Sequence, residues 1–399
     1  MKIFEADKAN GYGKNYYFVI AFSTVIYVLI GFWLLISTLS KHFKPLTVVL
    51  ATLSIALATN LFFQATYVTM VHSFLFFDYC LLIYLTDRFF DRPNRWKALA
   101  IGLVVGLITI TRVPEIISIL IPLFWGVTNL KSFRERVQFF IQNYGLLIFA
   151  AIGLLLVVSL QLGYWYYTSG KLIFNPYEGE GFNFLKPNIW LGFFDFKNGW
   201  LIYTPIMAFS LIGFAFLKRY YASPLIPIIG FILLHTFIHY SYYAWTYFPG
   251  LGQRPMVETY ALLAFPLAAC WQYFLSKKYL VWIPFVAVGF FSWHNLFQTW
   301  QMREGIIWSE RGNQAFYTAT FGQSKGSWKS LVAFDINESQ PDTNRLELIE
   351  VIAQEDFEGD AFKTKQTQLF YNGENAYYLN ETSNFEPIPK LFYLSHMRP

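Results

Sequence analysis

Residues 16–44 read YYFVIAFSTVIYVLIGFWLLISTLSKHFK, an apolar run of membrane-crossing length closed by a turn holding Lys41 and Lys44. About 20 consecutive apolar residues suffice for a helix to span a bilayer. The pattern then repeats. Stretches near 46–68, 70–87, 97–112, 115–130, 143–167, 201–217, 224–245, 257–275 and 279–300 approach or reach that length, so the sequence predicts about ten spans. Pro114 divides 97–130 into two short stretches, which read either as two tight spans or as one re-entrant unit buried among neighbours.

Basic residues alternate with these runs. Every second gap is rich in them: Lys41 and Lys44; Arg88, Arg92, Arg95 and Lys97; Lys131, Arg134 and Arg136; Lys218 and Arg219; Lys277 and Lys278. The intervening gaps hold only Lys171, Lys186, Lys197 and Arg254, with Arg112 at a helix end. Because Lys and Arg favour the cytoplasmic side, the first set is expected inside and both ends of this chain outside. Residues 1–15 are polar and carry no cleavable signal, so an outside start leads us to expect one or more spans upstream.

Charge also divides the chain. From residue 306 onward 13 acidic residues face 8 basic ones, whereas the whole chain is +5, so the preceding part carries the positive excess. Basic turns between apolar runs account for it, and nucleic acid is not an expected partner. The expected organisation is an outside polar arm over 1–15, a helical polytopic membrane domain over 16–305, and a small β-rich extracytoplasmic domain over 306–399. Alternation in 346–352 and 368–371, with a turn signal at Asn372-Gly373, suggests the strands. Cys80 and Cys270 both fall inside apolar runs, which offers no disulfide framework.

Two outside loops carry the unusual chemistry. Residues 171–200 combine Gly, Asn and aromatics with Tyr177, Glu178, Glu180, Trp190, Asp195, Lys197 and Trp200. Aromatic faces stack on sugar rings while Asn, Asp and Lys satisfy hydroxyls, so the loop suits a glycan as well as it suits an interfacial aromatic belt. Residues 247–258 place Gln253 and Arg254 in a Gly/Pro-shaped turn ahead of Glu258. There a guanidinium can fork onto a phosphate, pair with Glu258 four residues on, or do both.

Ionisable groups inside the apolar runs are few, and each is a candidate. His72 and Asp78 are six residues apart and do not share a helix face. Arg112 and Glu115 are separated by the proline. His235 and His239 share a face at a spacing compatible with a metal, but no third ligand is evident, and packing with hydrogen bonding is the favoured reading.

Four stretches together resemble the GT-C-type membrane glycosyltransferases, specifically bacterial relatives of the dolichyl-phosphate-mannose protein mannosyltransferases. They are residues 70–76 (MVHSFLF), 106–114 (GLITITRVP), 192–205 (GFFDFKNGWLIYTP) and 252–258 (GQRPMVE). The resemblance implies inverting transfer of a sugar from a polyprenyl-phosphate carrier to a lipid, glycan or protein acceptor at the outer face of a bacterial inner membrane. It casts Asp195, Glu258 and Asp7 as catalytic carboxylates. Arg254, Arg112 and Lys197 would bind the donor phosphate, and His72, Tyr177, Trp190, Tyr203 and Gln253 the substrates. No metal ligands are assigned; a divalent cation is compatible and no other cofactor is required. The family's first outside loop supplies an essential acid, and here only Glu5 and Asp7 stand in its place, as expected of an N-terminally shortened chain. A flippase for lipid-linked sugars and a non-catalytic assembly subunit are the alternatives.

Overall fold

The computed structural model describes residues 14–68, 70–174, 180–308, 312–327, 329–330 and 333, with the backbone of 368–371 and 374–377. The chain divides into two compact units, Met1–Arg303 and Glu304–Pro399.

The first unit is predominantly helical in its described residues, with loops such as 242–253 and one isolated β-bridge between Phe182 and Tyr242. It opens with α1 (Lys14–Leu39), α2 (Pro45–Leu57), α3 (Leu61–Thr66), α4 (Val71–Asp91) and α5 (Arg95–Thr111). A 3-10 helix at Val113–Ile119 leads into α6 (Leu120–Phe124), α7 (Leu130–Gln142) and α8 (Tyr144–Ser169). Short helices α9 (Ile189–Phe194) and α10 (Trp200–Tyr203) precede α11 (Met207–Tyr220) and α12 (Leu225–Ser241). A second 3-10 helix, Arg254–Thr259, runs into α13 (Tyr260–Leu275), and α14 (Ile283–Arg303) closes the unit.

Proline and polar residues decide where these helices stop. Val113 and Arg254 each precede a proline, whose ring disfavours the helical region at the residue before it, and both prolines sit in the first turn of a 3-10 helix. Thr204-Pro205 likewise separates α10 from α11, and Asn60 falls in the break between α2 and α3.

These interruptions correct the expected architecture. Among the described residues two helices, Tyr16–Leu39 and Tyr144–Ser169, are long and apolar enough to cross a membrane, not about ten. Three more apolar stretches, Pro45–Leu57, Val113–Phe124 and Leu225–Ser241, fall short of that length. The run expected over 46–68 breaks at Asn60, and α4 and α14 are long enough but carry Asp78, Asp87 and Arg88, or His294, Asn295 and Gln298.

Helix α13 is the centre of the packing, with every residue from Tyr260 to Trp271 buried. Close backbone approaches need glycine. A Cβ on Gly102 would lie 1.9 Å from the carbonyl oxygen of Ala150, and one on Gly153 would lie 2.3 Å from that of Leu99, so α5 and α8 meet through bare backbone. Asn60 ties the interior to the later loops. Its Nδ2 donates to the carbonyls of Leu251 (3.0 Å) and Gln253 (3.3 Å), and its Oδ1 accepts from the Tyr260 hydroxyl at 2.6 Å. Cys80 and Cys270 are buried free thiols.

The second unit also departs from expectation. Its described part contains α15 (Gln314–Thr320), capped by Asn313 Oδ1 on the Phe316 N–H at 2.8 Å. Among the described residues its β structure is one antiparallel pair, strand β1 (Gln368–Tyr371) against strand β2 (Glu374–Tyr377). Two four-residue strands do not make a β-rich domain, and residues 346–352 lie outside the described residues.

Candidate functional site

The two proline-bent segments meet over α4 and α12. Arg112, Glu115 and Glu258 lie on or beside the 3-10 helices, His72 opens α4, and His235 and His239 sit four residues apart on α12. The side chains of Glu115 and Glu258 are completely buried, as is that of His235.

Glu258 meets three side chains. Its Oε1 accepts from Arg112 at 2.8 Å and lies 2.7 Å from His72 Nδ1, while Oε2 lies 3.4 Å from His235 Nε2. Glu115 Oε1 lies 2.7 Å from His239 Nε2 and 3.3 Å from His235 Nε2, and its other oxygen accepts from the Tyr79 hydroxyl. Burying ions is costly unless they are paired and their remaining lone pairs are satisfied, and of these two carboxylates Glu258 is the one that pairs with a guanidinium.

Tyr247 completes one wall. Its hydroxyl donates to the His239 carbonyl at 3.0 Å and lies 3.1 Å from His239 Nδ1, and its ring sits under the Arg112 guanidinium, 5.3 Å away. It adopts φ 51°, a left-handed conformation that costs a residue with a Cβ roughly 1–2 kcal/mol. Such strain is commonly stored at functional sites.

The 171–200 loop reaches the same region. Asn198 Nδ2 donates to the Thr246 carbonyl, Lys197 Nζ lies 5.6 Å above the Phe248 ring, and the Tyr203 hydroxyl donates to the Phe196 carbonyl at 2.8 Å. Gly252 has φ 67°, and a Cβ there would sit 2.9 Å from the Tyr203 Cβ, so both conformation and space require glycine.

The sequence candidates sort clearly. His72, Arg112 and Glu258 are joined by hydrogen bonds. Arg254, read as binding phosphate, pairing with Glu258 or doing both, donates to Met70 Sδ at 3.1 Å and to the Pro249 carbonyl at 3.3 Å, with Tyr247 6.0 Å below it. Gln253 is buried and donates to the Trp245 carbonyl. Asp195 is half-buried, and its Oδ1 accepts from the Lys197 N–H at 2.7 Å, bracing its own loop. Trp190 stands out from the fold, 73% exposed and packed on Phe194. Asp7 and Tyr177 lie outside the described residues.

Sequence reasoning named Glu115 only beside Arg112, did not connect it to the histidines, passed over Tyr79 and Tyr247 as site residues, and set the two histidines aside for want of a third ligand. The signal was the spacing His235-x-x-x-His239; the missing partner, Glu115, stands 124 positions from His239. One ligand atom from each of Glu115, His235, His239 and Glu258 lies within 4.8 Å of all the others.

No family model, no curated protein and no solved structure matches this chain. The chemistry of the site must therefore be argued from its own residues.

Proposed function

We propose that this protein transfers a sugar from a polyprenyl-phosphate donor to an acceptor at a bacterial inner membrane. The observation that carries the reading is the convergence of four distant stretches. Residues 70–76 contribute Met70 and His72, 106–114 contribute Arg112, 192–205 contribute the Lys197 and Tyr203 contacts, and 252–258 contribute Arg254 and Glu258. These are the stretches that resemble membrane glycosyltransferases related to the protein mannosyltransferases.

Membrane association is supported by α1 and α8, which turn apolar side chains such as Leu29, Trp33, Leu155 and Leu160 outward. The basic turns 41–44 and 88–97 lie at one end of α4 and the site at the other. Fifteen residues of helix between His72 and Asp87 separate those ends by about 22 Å.

In the proposed reaction the bond from the anomeric carbon to the donor phosphate breaks as the acceptor oxygen bonds to that carbon. The departing phosphate gains charge, which a nearby guanidinium offsets. Arg254 is assigned that role. Arg112 is held by Glu258, so Glu258 orients Arg112 and His72 and is a positioning residue here. Asp195 is the carboxylate of the 192–205 stretch assigned to take the acceptor proton.

The test is retention of polyprenyl monophosphate by the full chain in lipid discs, compared with uncharged polyprenol of the same length. The expected result is selective retention of the phosphate form by the wild type, reduced at least about tenfold in Arg254→Ala. Equal retention of both lipids by the wild type would overturn the proposal.

A further inference from the structure

We infer that Glu115, His235, His239 and Glu258 bind a divalent transition-metal ion, with Zn2+ the best fit to two imidazoles and two carboxylates. The inference shares Glu258 with the transfer reading but does not rest on it.

Distances give the first support. Ligands of a tetrahedral ion with metal–N and metal–O bonds near 2.0–2.1 Å stand about 3.3 Å apart. His235 Nε2 lies 3.3 Å from Glu115 Oε1 and 3.4 Å from Glu258 Oε2, close to that spacing. The His239 Nε2 to Glu115 Oε1 separation, 2.7 Å, has to open by a few tenths of an ångström.

Proton bookkeeping around His239 gives the second. The Tyr247 hydroxyl has one proton and donates it to the His239 carbonyl at 3.0 Å. Its contact with His239 Nδ1 at 3.1 Å therefore needs the proton on Nδ1. A neutral imidazole so held presents a lone pair at Nε2, and that lone pair faces a carboxylate oxygen. Fixing the tautomer through the far nitrogen is how proteins orient a ligating histidine. His235 Nδ1 has no hydrogen-bond partner, which makes His239 the better-oriented imidazole.

Charge gives the third. Among the described residues the two fully buried carboxylates have one permanently charged hydrogen-bond partner, Arg112, and it bonds Glu258. One negative charge remains for a proton or a cation to offset. A proton joins two of the ligand atoms, whereas a metal ion engages all four. With four protein ligands and no open position, the ion would be structural. It would clamp the segment around Glu115 to α12 and to the segment around Glu258, fixing the carboxylate that holds Arg112 and His72.

The test measures metal rather than activity. The full chain, purified in detergent, is incubated with Zn2+, freed of excess ion and assayed for metal per chain; the experiment is repeated with Co2+, whose visible ligand-field bands report four-coordinate N/O ligation. About one ion per chain and a tetrahedral Co2+ spectrum are expected. His239→Gln and Glu115→Gln should lose the spectrum, and Tyr247→Phe should weaken affinity about 10–100-fold by releasing the His239 tautomer. His42→Gln and Arg254→Ala should retain the ion, so a failure of lipid-phosphate binding in Arg254→Ala stays distinguishable from a failure of the metal site. If any ligand variant fails to fold, the wild-type Co2+ spectrum still decides. No ion above background in the wild type, or an octahedral spectrum unchanged by His239→Gln, would overturn the inference and leave a proton-sharing cluster.

Discussion

The two ends of α4 carry two charged clusters built on different terms. At the far end Lys41 Nζ reaches Asp87 at 2.6 Å and Asp91 at 2.8 Å, and the Tyr221 hydroxyl donates to Asp87 at 2.8 Å. His42 stacks on Tyr221 with ring centres 3.5 Å apart. Asp87 itself is buried, its side chain 6% exposed, but the Lys41 and Asp91 side chains keep 32% and 60% of their exposure, so water shares part of the charge. Around Glu115 and Glu258, both fully buried, the compensation among the described residues comes from Arg112, His72, His235 and the Tyr79 hydroxyl. The first cluster is a staple between helix ends. The second is expensive to build, and an expensive polar centre at the junction of bent segments is better explained by function than by stability.

The largest expected effect is therefore at Glu258. Glu258→Ala leaves Arg112, 18% exposed, and the buried His72 without their carboxylate partner and should cost about 3–5 kcal/mol, measured by denaturation in detergent. Glu258→Gln keeps the shape and should cost less. If the alanine variant is as stable as the wild type, the buried cluster is no more demanding than the surface one. Tyr247→Phe should come next, at about 1–3 kcal/mol, because His239 Nδ1 would be left as a buried unmet donor. Asp87→Asn should cost about 1–2 kcal/mol, since Asp87 is buried but the Tyr221 bond survives and its partner Lys41 is partly solvated. Raising salt from low to molar concentration should erase most of the Asp87→Asn difference and little of the Glu258→Ala one, because exposed pairs are screened and buried ones are not.

Parts of this arrangement were legible in the sequence. The bends at Pro114 and Pro255 follow from local backbone rules, and Arg112, His72 and Glu258 stand out as ionisable groups in apolar surroundings. The apolar runs were misleading because hydropathy does not register interruptions: the 46–68 run contains Asn60, whose side chain serves the 251–253 loop. Nor does hydropathy register surroundings. Helix α8 and helix α13 are both apolar, yet α13 is the buried centre while α8 buries only Gly153. The pairing of Glu115 with His239 was not legible, because nothing local links a residue after a proline bend to a helix 124 positions on. An i+4 pair of Arg254 with Glu258 was one of the readings left open, and the segment Arg254–Thr259 is a 3-10 helix in which Glu258 accepts from Arg112.

The most direct test of the transfer reading is release of labelled sugar from a polyprenyl-phosphate donor by the full chain in lipid discs, alongside Arg254→Ala. Transfer of label to an acceptor by the wild type, lowered at least about 100-fold in Arg254→Ala, is the expected result. A wild type that leaves every polyprenyl-phosphate sugar intact, or an Arg254→Ala variant that transfers as fast as the wild type, would contradict it.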